Sequence, residues 1–128
     1  MDSTMTNDPH STGILGEEAA CRHLENNGYT ILDRNYRAER YEIDIIAQTG
    51  DTIVFCEVKT ARSRKFGPSI TWVTPDKIKH IALAAREYIT SHTLTRHSFR
   101  FDVIGLDVAN DRIAVTHIEN AFSVPEDL

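Results

Sequence analysis

Several features that would assign the chain to a class at once are scarce or missing. Its 128 residues include only two cysteines, Cys21 and Cys56, without a Cys-x-x-Cys spacing. We therefore expect reduced core thiols and neither a disulfide framework nor a zinc site. No apolar run approaches the roughly 20 residues that cross a bilayer, and the N-terminus lacks the basic and apolar regions of a signal peptide. These absences predict a cytoplasmic protein without a membrane partner.

Positive charge is also scarce overall, since 14 Lys and Arg residues face 19 Asp and Glu residues, a net charge of −5. Taken alone, this balance argues against a nucleic-acid partner. The distribution is uneven, however, because residues 60–100 hold 8 basic and 2 acidic residues, a net charge of +6. A basic block beside an acidic cluster suits an enzyme that acts on a polyanion. The alternative is that the block is an ordinary solvated face.

The length predicts one domain, which we place at residues 12–119 between a disordered tail (1–11) and a C-terminal tail (120–128). Ser11 or Thr12 can cap a first helix from about Ile14 to Asn27. Its buried stripe is predicted to hold Ile14, Ala20, Cys21 and Leu24. The remaining pattern predicts the order α-β-β-β-α-β-β, an α/β fold with a mixed sheet flanked by helices and at least one parallel strand pair.

The stretch Glu42–Lys59 carries most of the chemistry and reads as two strands joined by a Gly50-Asp51 turn. Pairing Thr49 with Thr52 sets apolar residues opposite one another: Ala47 with Val54, Ile45 with Cys56, and Ile43 with Val58. The same register predicts the polar pairs Asp44 with Glu57 and Glu42 with Lys59. Like charges so close are destabilising, and a divalent cation with oxygen ligands is the simplest way to offset the repulsion.

Glu17 falls at the middle of the apolar stripe of the first helix, where a carboxylate is seldom buried without a partner. It either caps the helix or pairs with an arginine, or it leans toward Asp44 and Glu57. In the latter case Asp44, Glu57, the Val58 carbonyl and Glu17 would bind Mg²⁺ or Mn²⁺. Lys59 would orient or activate a water or neutralise charge that develops on a phosphate.

An Asp followed about a dozen residues later by Glu-x-Lys on adjacent strands resembles the PD-(D/E)xK nuclease superfamily, which has the restriction-endonuclease-like fold. A preceding helical Glu is similar to the archaeal Holliday-junction resolvases. More narrowly, GEEAACRHLENNGYTILDRNYR, EIDIIA, VFCEVKT, VTPDKIKHI and RFDVIGL resemble the YraN-like family (UPF0102) of bacterial proteins, roughly from Gly13 to Val108. The resemblance implies that Glu17, Asp44, Glu57 and Lys59 form the active site, and that Glu42 can assist.

The resemblance also covers Lys77, the basic residue of the second helix, and the string Arg100-Phe101-Asp102. Two positions depart from it: Tyr41 stands where the family usually has Gly, and Ala61 stands where Arg is expected, with Arg62 one step later. The loop that leaves the second hairpin strand and the following helix are predicted to contact nucleic acid. The residues concerned are Arg62, Arg64, Lys65, Lys77 and Lys79.

The leading hypothesis is a metal-dependent endonuclease that hydrolyses phosphodiester bonds in DNA, branched like a Holliday junction or damaged. DNA is favoured over RNA, and resolvase-like cutting of two strands implies a homodimer, although no residue marks an interface. The alternative is a non-catalytic nucleic-acid-binding module on a nuclease fold. In a third interpretation, the charged hairpin is only surface, and Glu17 forms an ion pair elsewhere. His23 and His117 are interpreted as ordinary histidines.

Overall fold

The computed structural model of the protein describes residues 9–62 and 73–123. Two helices and five strands follow the predicted order α-β-β-β-α-β-β, which is thereby confirmed. In chain order they are α1 (Pro9–Asn26), β1 (Thr30–Ala38), β2 (Tyr41–Thr49), β3 (Thr52–Ala61), α2 (Pro75–Ser91), β4 (Ser98–Ala109) and β5 (Arg112–Ile118).

The first helix begins earlier than predicted. Neither Ser11 nor Thr12 is its cap, because α1 starts at Pro9, where the missing N–H of proline costs no helical hydrogen bond. The helix ends as predicted before Gly28, whose φ of 86° is open to glycine without strain. Ile14, predicted to be buried, is 50% exposed, whereas Ala20, Cys21 and Leu24 are in the core.

The strands form one sheet in the order β1-β2-β3-β4-β5. The β3–β4 pair is parallel, which confirms the predicted crossover through α2, and the other three pairs are antiparallel. Helices cover both faces, so both faces of the central strands are apolar. One core cluster joins Leu24 of α1 to Val54 and Cys56, and the other joins Ile81 and Tyr88 of α2 to Phe55.

The hairpin register is confirmed for its first half only. Thr49 pairs with Thr52, Ala47 with Val54 and Ile45 with Cys56, and the ladder between β2 and β3 ends there. The further pairs predicted for Ile43, Asp44 and Glu42 were wrong. Ile43 packs in the α2 cluster with Ile46, whereas Ile45 packs in the α1 cluster, so the alternation of faces is interrupted at Asp44. At this point the Asp44 carboxyl group accepts a hydrogen bond from the Val58 N–H, and this bond replaces the backbone hydrogen bonds of the ladder.

The C-terminal part of the domain extends slightly past the predicted end at residue 119. The Ala121 N–H donates to the Phe101 carbonyl at 2.7 Å, and the ring of Phe122 lies 5.3 Å from that of Phe101. The two cysteines are buried and unpaired, as predicted. Neither α1 nor α2 has the length and hydropathy that crossing a bilayer requires.

Candidate active site

Two acidic side chains meet where β2 and β3 part. Asp44 Oδ2 accepts a hydrogen bond of 2.8 Å from the Val58 N–H, which holds the carboxyl group between the two strands. Glu57 is buried to 2% exposure, and its Oε1 has no hydrogen-bond partner among the described residues. Burial, followed by the charge of Glu57, raises the pKa of Asp44 to about 8. At neutral pH this raised pKa favours the protonated form of the Asp44 carboxyl group.

Two lysines approach the other oxygen of Glu57. The Nζ of Lys59 lies 3.0 Å from Glu57 Oε2, and the Nζ of Lys77 lies 3.5 Å from the same atom. Lys59 reaches it because residues two apart on a strand share a face. Lys77 reaches it from the first turn of α2, which Thr74 caps by accepting from the Lys77 N–H at 3.2 Å. Lys77, predicted to contact nucleic acid, thus lies inside the candidate site.

Glu17 has other partners. Its Oε1 accepts from Asn35 Nδ2 at 3.2 Å and lies 4.0 Å from an Arg34 nitrogen, while Arg34 also pairs with Glu18 at 3.4 Å. Gly16 allows α1 to pass close to β3, since a Cβ there would overlap the hydroxyl of Thr60. Within 9–62 and 73–123, no three His, Cys, Asp or Glu side chains form a group that could hold a metal ion. Of the two alternatives for Glu17, the structure shows the pairing with an arginine, Arg34.

The other predicted binding residues lie at different places. Arg62 directly follows β3, Lys79 is exposed on α2, and Arg64 and Lys65 are outside the described residues. Glu42 forms an exposed pair with Arg37 at 3.4 Å.

A second buried acid was not singled out by the sequence analysis. Asp102 is 0% exposed and accepts two hydrogen bonds from Arg100, at 2.9 and 2.8 Å, one from the Asn120 N–H at 3.0 Å, and one from His117 at 2.7 Å. These donors hold the pKa of Asp102 below its usual range in spite of burial. His23 in turn lies 3.0 Å from the other ring nitrogen of His117. The signal was an acid between the apolar residues Phe101 and Val103 of β4.

The donor set at Asp44 and Glu57 suits a small divalent cation. An unpartnered, buried carboxylate oxygen beside a second carboxyl group is costly unless a cation or a proton is shared between them. Hard oxygen ligands of this type favour Mg²⁺ or Mn²⁺. Two carboxylates and the neighbouring Val58 carbonyl can contribute to such a site, with water completing the coordination.

Comparison with known proteins identifies the family of the chain. Residues 16–106 match the model of the "Uncharacterised protein family UPF0102". This chain belongs to the UPF0102 family. The matched span begins with Gly16 in α1 and ends in β4, so that it includes Asp44, Glu57 and both lysines of the site.

Curated UPF0102 proteins resemble the chain over most of their length. The protein of Chlorobium phaeobacteroides (strain DSM 266) is 48% identical over 80% of each chain. That of Syntrophus aciditrophicus is 42% identical over 88% of this chain and 89% of the relative. That of Chlorobium limicola is 44% identical over 92% and 96%. A solved structure, "Crystal structure of SSO0001", aligns with 91% of this chain at 16% identity and a TM-score of 0.42, and the chain spans 55% of that protein.

Proposed function

We propose that this UPF0102 protein is a metal-dependent endonuclease that hydrolyses phosphodiester bonds in DNA, with branched, Holliday-junction-like or damaged DNA as substrate. The observation that carries the proposal is the pair formed by half-buried Asp44 and buried Glu57, with two lysines on one oxygen of Glu57. A pure binding surface has no need of converging buried carboxyl groups, which are costly to fold. Perturbed titratable groups of this kind cluster at catalytic sites.

Asp44, Glu57 and the Val58 carbonyl are the groups that would hold Mg²⁺ or Mn²⁺. A bound divalent cation supplies Lewis acidity and charge stabilisation in phosphodiester hydrolysis. Two observations support this assignment. The Oε1 of Glu57 has no hydrogen-bond partner among the described residues, and the pKa of Asp44 is raised, an effect that a nearby positive charge would offset. Glu17 remains a proposed further ligand, and it would have to exchange Asn35 and Arg34 for water or metal.

Lys59 is proposed to act directly on the substrate. Its side chain is 25% exposed, whereas that of Glu57, which it contacts, is 2% exposed, so Lys59 lies on the solvent side of the pair. From there it can orient a water molecule and donate hydrogen bonds to phosphate oxygens as negative charge develops on them. Lys77, 36% exposed, is positioned to hold the adjacent phosphate by charge.

The basic residues around the site support a polyanionic substrate. The segment 60–100, with its net charge of +6, includes the end of β3 and all of α2. Among the predicted phosphate contacts, Arg62 and Lys79 flank the two lysines of the site along β3 and α2. Electrostatic attraction of this kind makes binding depend on salt but not on base sequence. A cytoplasmic homodimer that cuts two DNA strands completes the proposal.

The second candidate is a non-catalytic nucleic-acid-binding module. The observation that favours it is that two lysines already balance the charge of Glu57, with Lys59 Nζ at 3.0 Å and Lys77 Nζ at 3.5 Å from Oε2. In that case the protein would bind DNA but leave it intact.

The test is cleavage of labelled four-way-junction, flap, single-stranded and duplex DNA with Mn²⁺ or Mg²⁺. We expect cutting that Asp44→Asn and Lys59→Ala each reduce by at least about 10²-fold, the usual cost of removing a group that stabilises the transition state. Asp51→Asn, in the exposed turn of the same hairpin, is the matched control and should cut like the wild type. Binding without cutting would support the second candidate, and failure to bind any of the four would refute both.

A further inference from the structure

An aromatic stack lies directly beside the candidate active site. The ring of Tyr41, at the start of β2, lies parallel to that of His80, with centroids 4.5 Å apart and an angle of 17° between the planes. His80 is three residues after Lys77 on α2, so the two share one side of the helix. Because Lys77 contacts Glu57, His80 lies about one helical turn from a residue of the candidate site.

Tyr41 also lines a cavity of about 490 Å³ between the β1–β2 turn and α2. This volume is in the range of small-molecule pockets. The walls include Arg86, Glu39 and Glu87, and Glu87 already accepts a hydrogen bond from the Tyr36 hydroxyl at 3.0 Å, so Arg86 is the group of the wall that can attract an anion. Arg86 makes no ion pair with any residue in the described ranges. An aromatic ring and a few polar groups around a concave space are the elements that recognise a nucleobase.

The ring of Tyr41 is held rigidly. Tyr41 pairs with Ala38 in the antiparallel ladder, His80 supports the ring, and the apolar part of the residue packs on the α2 cluster. A fixed ring loses little conformational freedom when a base stacks on it. The cavity continues toward Arg86, which is nine residues from Lys77, or about 14 Å along the helix axis. Lys77 and Arg86 therefore lie before and after His80 along the helix and project from opposite sides of it, and Arg86 is the one that lines the cavity with Tyr41.

We propose that Tyr41, supported by His80, is a stacking platform for an unpaired nucleobase of the substrate, and that Arg86 binds a neighbouring phosphate. This inference rests on the proposed nuclease function and specifies its substrate class as DNA with unpaired nucleotides near the cut, such as flaps and open junctions. A base inside a continuous duplex has both faces covered by its neighbours, so it cannot stack on Tyr41 without leaving the helix.

The test uses the non-cutting Asp44→Asn protein and flap DNA with 2-aminopurine, a base whose fluorescence falls on stacking, at successive positions of the single-stranded arm. We expect quenching at one or two positions next to the branch. Tyr41→Leu, which keeps an apolar side chain on the cluster, should abolish the quenching and weaken flap binding about tenfold or more. It should leave binding of a continuous duplex unchanged, and Tyr41→Phe should retain the quenching.

Arg86→Gln should weaken flap binding and lower the slope of log affinity against log salt by about one, the change expected for one lost phosphate contact. Arg22→Gln, at an exposed position of α1, is the matched control and should change neither. Wild-type cutting of flaps with undiminished flap affinity in Tyr41→Leu would overturn the platform and leave the nuclease in place. Absence of both binding and cutting in the wild type would overturn the two together.

Discussion

The two buried acids of the sheet, Glu57 and Asp102, lie on opposite faces and have opposite surroundings. Asp102, on the α1 side, is satisfied by a bidentate arginine, a histidine and a backbone N–H. Glu57, on the α2 side, has one oxygen without a partner and a second carboxyl group beside it. The pKa of Asp102 is lowered, whereas that of Asp44 is raised to about 8. Buried charges are ordinarily hydrogen-bonded in full, as Asp102 is, whereas incompletely satisfied ones are typical of functional sites.

The first prediction tests whether the two acids contribute differently to stability. Asp102→Asn should lower the free energy of unfolding by about 3 kcal/mol, because Arg100 and His117 lose their charged partner in a buried place. Asp44→Asn at pH 8 should leave stability unchanged or raise it, since it removes one of two repelling carboxyl groups. Urea unfolding followed by circular dichroism measures both. Equal losses in the two variants would mean that Asp44 is as well satisfied as Asp102.

The second prediction concerns the binding of a divalent cation to the carboxyl groups on the α2 side. Mn²⁺ should stabilise the wild type, by about 2.7 kcal/mol at 100 times its dissociation constant. The gain should be larger at pH 8.5 than at pH 6.5, because the proton on the carboxyl pair competes with the cation. Thermal unfolding with and without Mn²⁺ measures the effect. Asp51→Asn should respond like the wild type, whereas a full response in Asp44→Asn would place the cation elsewhere.

The sequence predicted the element order and the first half of the hairpin register because both depend on local patterns. The turn at Gly50 and the pairs as far as Ile45 with Cys56 follow from apolar alternation. The register beyond Ile45 could not be predicted, since there a hydrogen bond from the Val58 backbone N–H to the Asp44 carboxyl group replaces the ladder. That interruption is what brings a carboxyl group between the strands, so the departure from the local rule coincides with the candidate site.

The sequence predicted which strand residues come together at the candidate site, but it predicted the positions of the helical residues only in part. Asp44, Glu57 and Lys59 come together because they lie on one hairpin. Lys77 and Glu17 depend on how α2 and α1 pack on the sheet, which periodicity does not specify. Lys77, predicted to contact nucleic acid, lies 3.5 Å from Glu57. Glu17, predicted as a possible metal ligand, accepts a hydrogen bond from Asn35. The Asp102 network likewise joins residues from α1, β4 and β5 that are distant in sequence.

The third and smallest predicted effect concerns pH, where the two acids should act with opposite signs. The Asp102 carboxylate, with its lowered pKa, stabilises the fold above its ordinary pKa, and this contribution is lost as the pH falls. The carboxyl group of Asp44 has the opposite effect. Between its ordinary pKa of 3.8 and its raised pKa of about 8, the folded state keeps a proton that the unfolded state has released. Its contribution is therefore full at low pH and declines as the pH rises toward 8.

In metal-free buffer, the wild type should thus lose at least about 1.4 kcal/mol between pH 5 and pH 8.5 relative to Asp44→Asn, the equivalent of a single pKa unit. The difference between the two proteins cancels the titration of other groups, including His23 and Asp102. Urea unfolding across this range measures it. Parallel pH profiles of the two proteins would show that the carboxyl group of Asp44 titrates normally, and the contrast between the two faces of the sheet would then lie in hydrogen bonding alone.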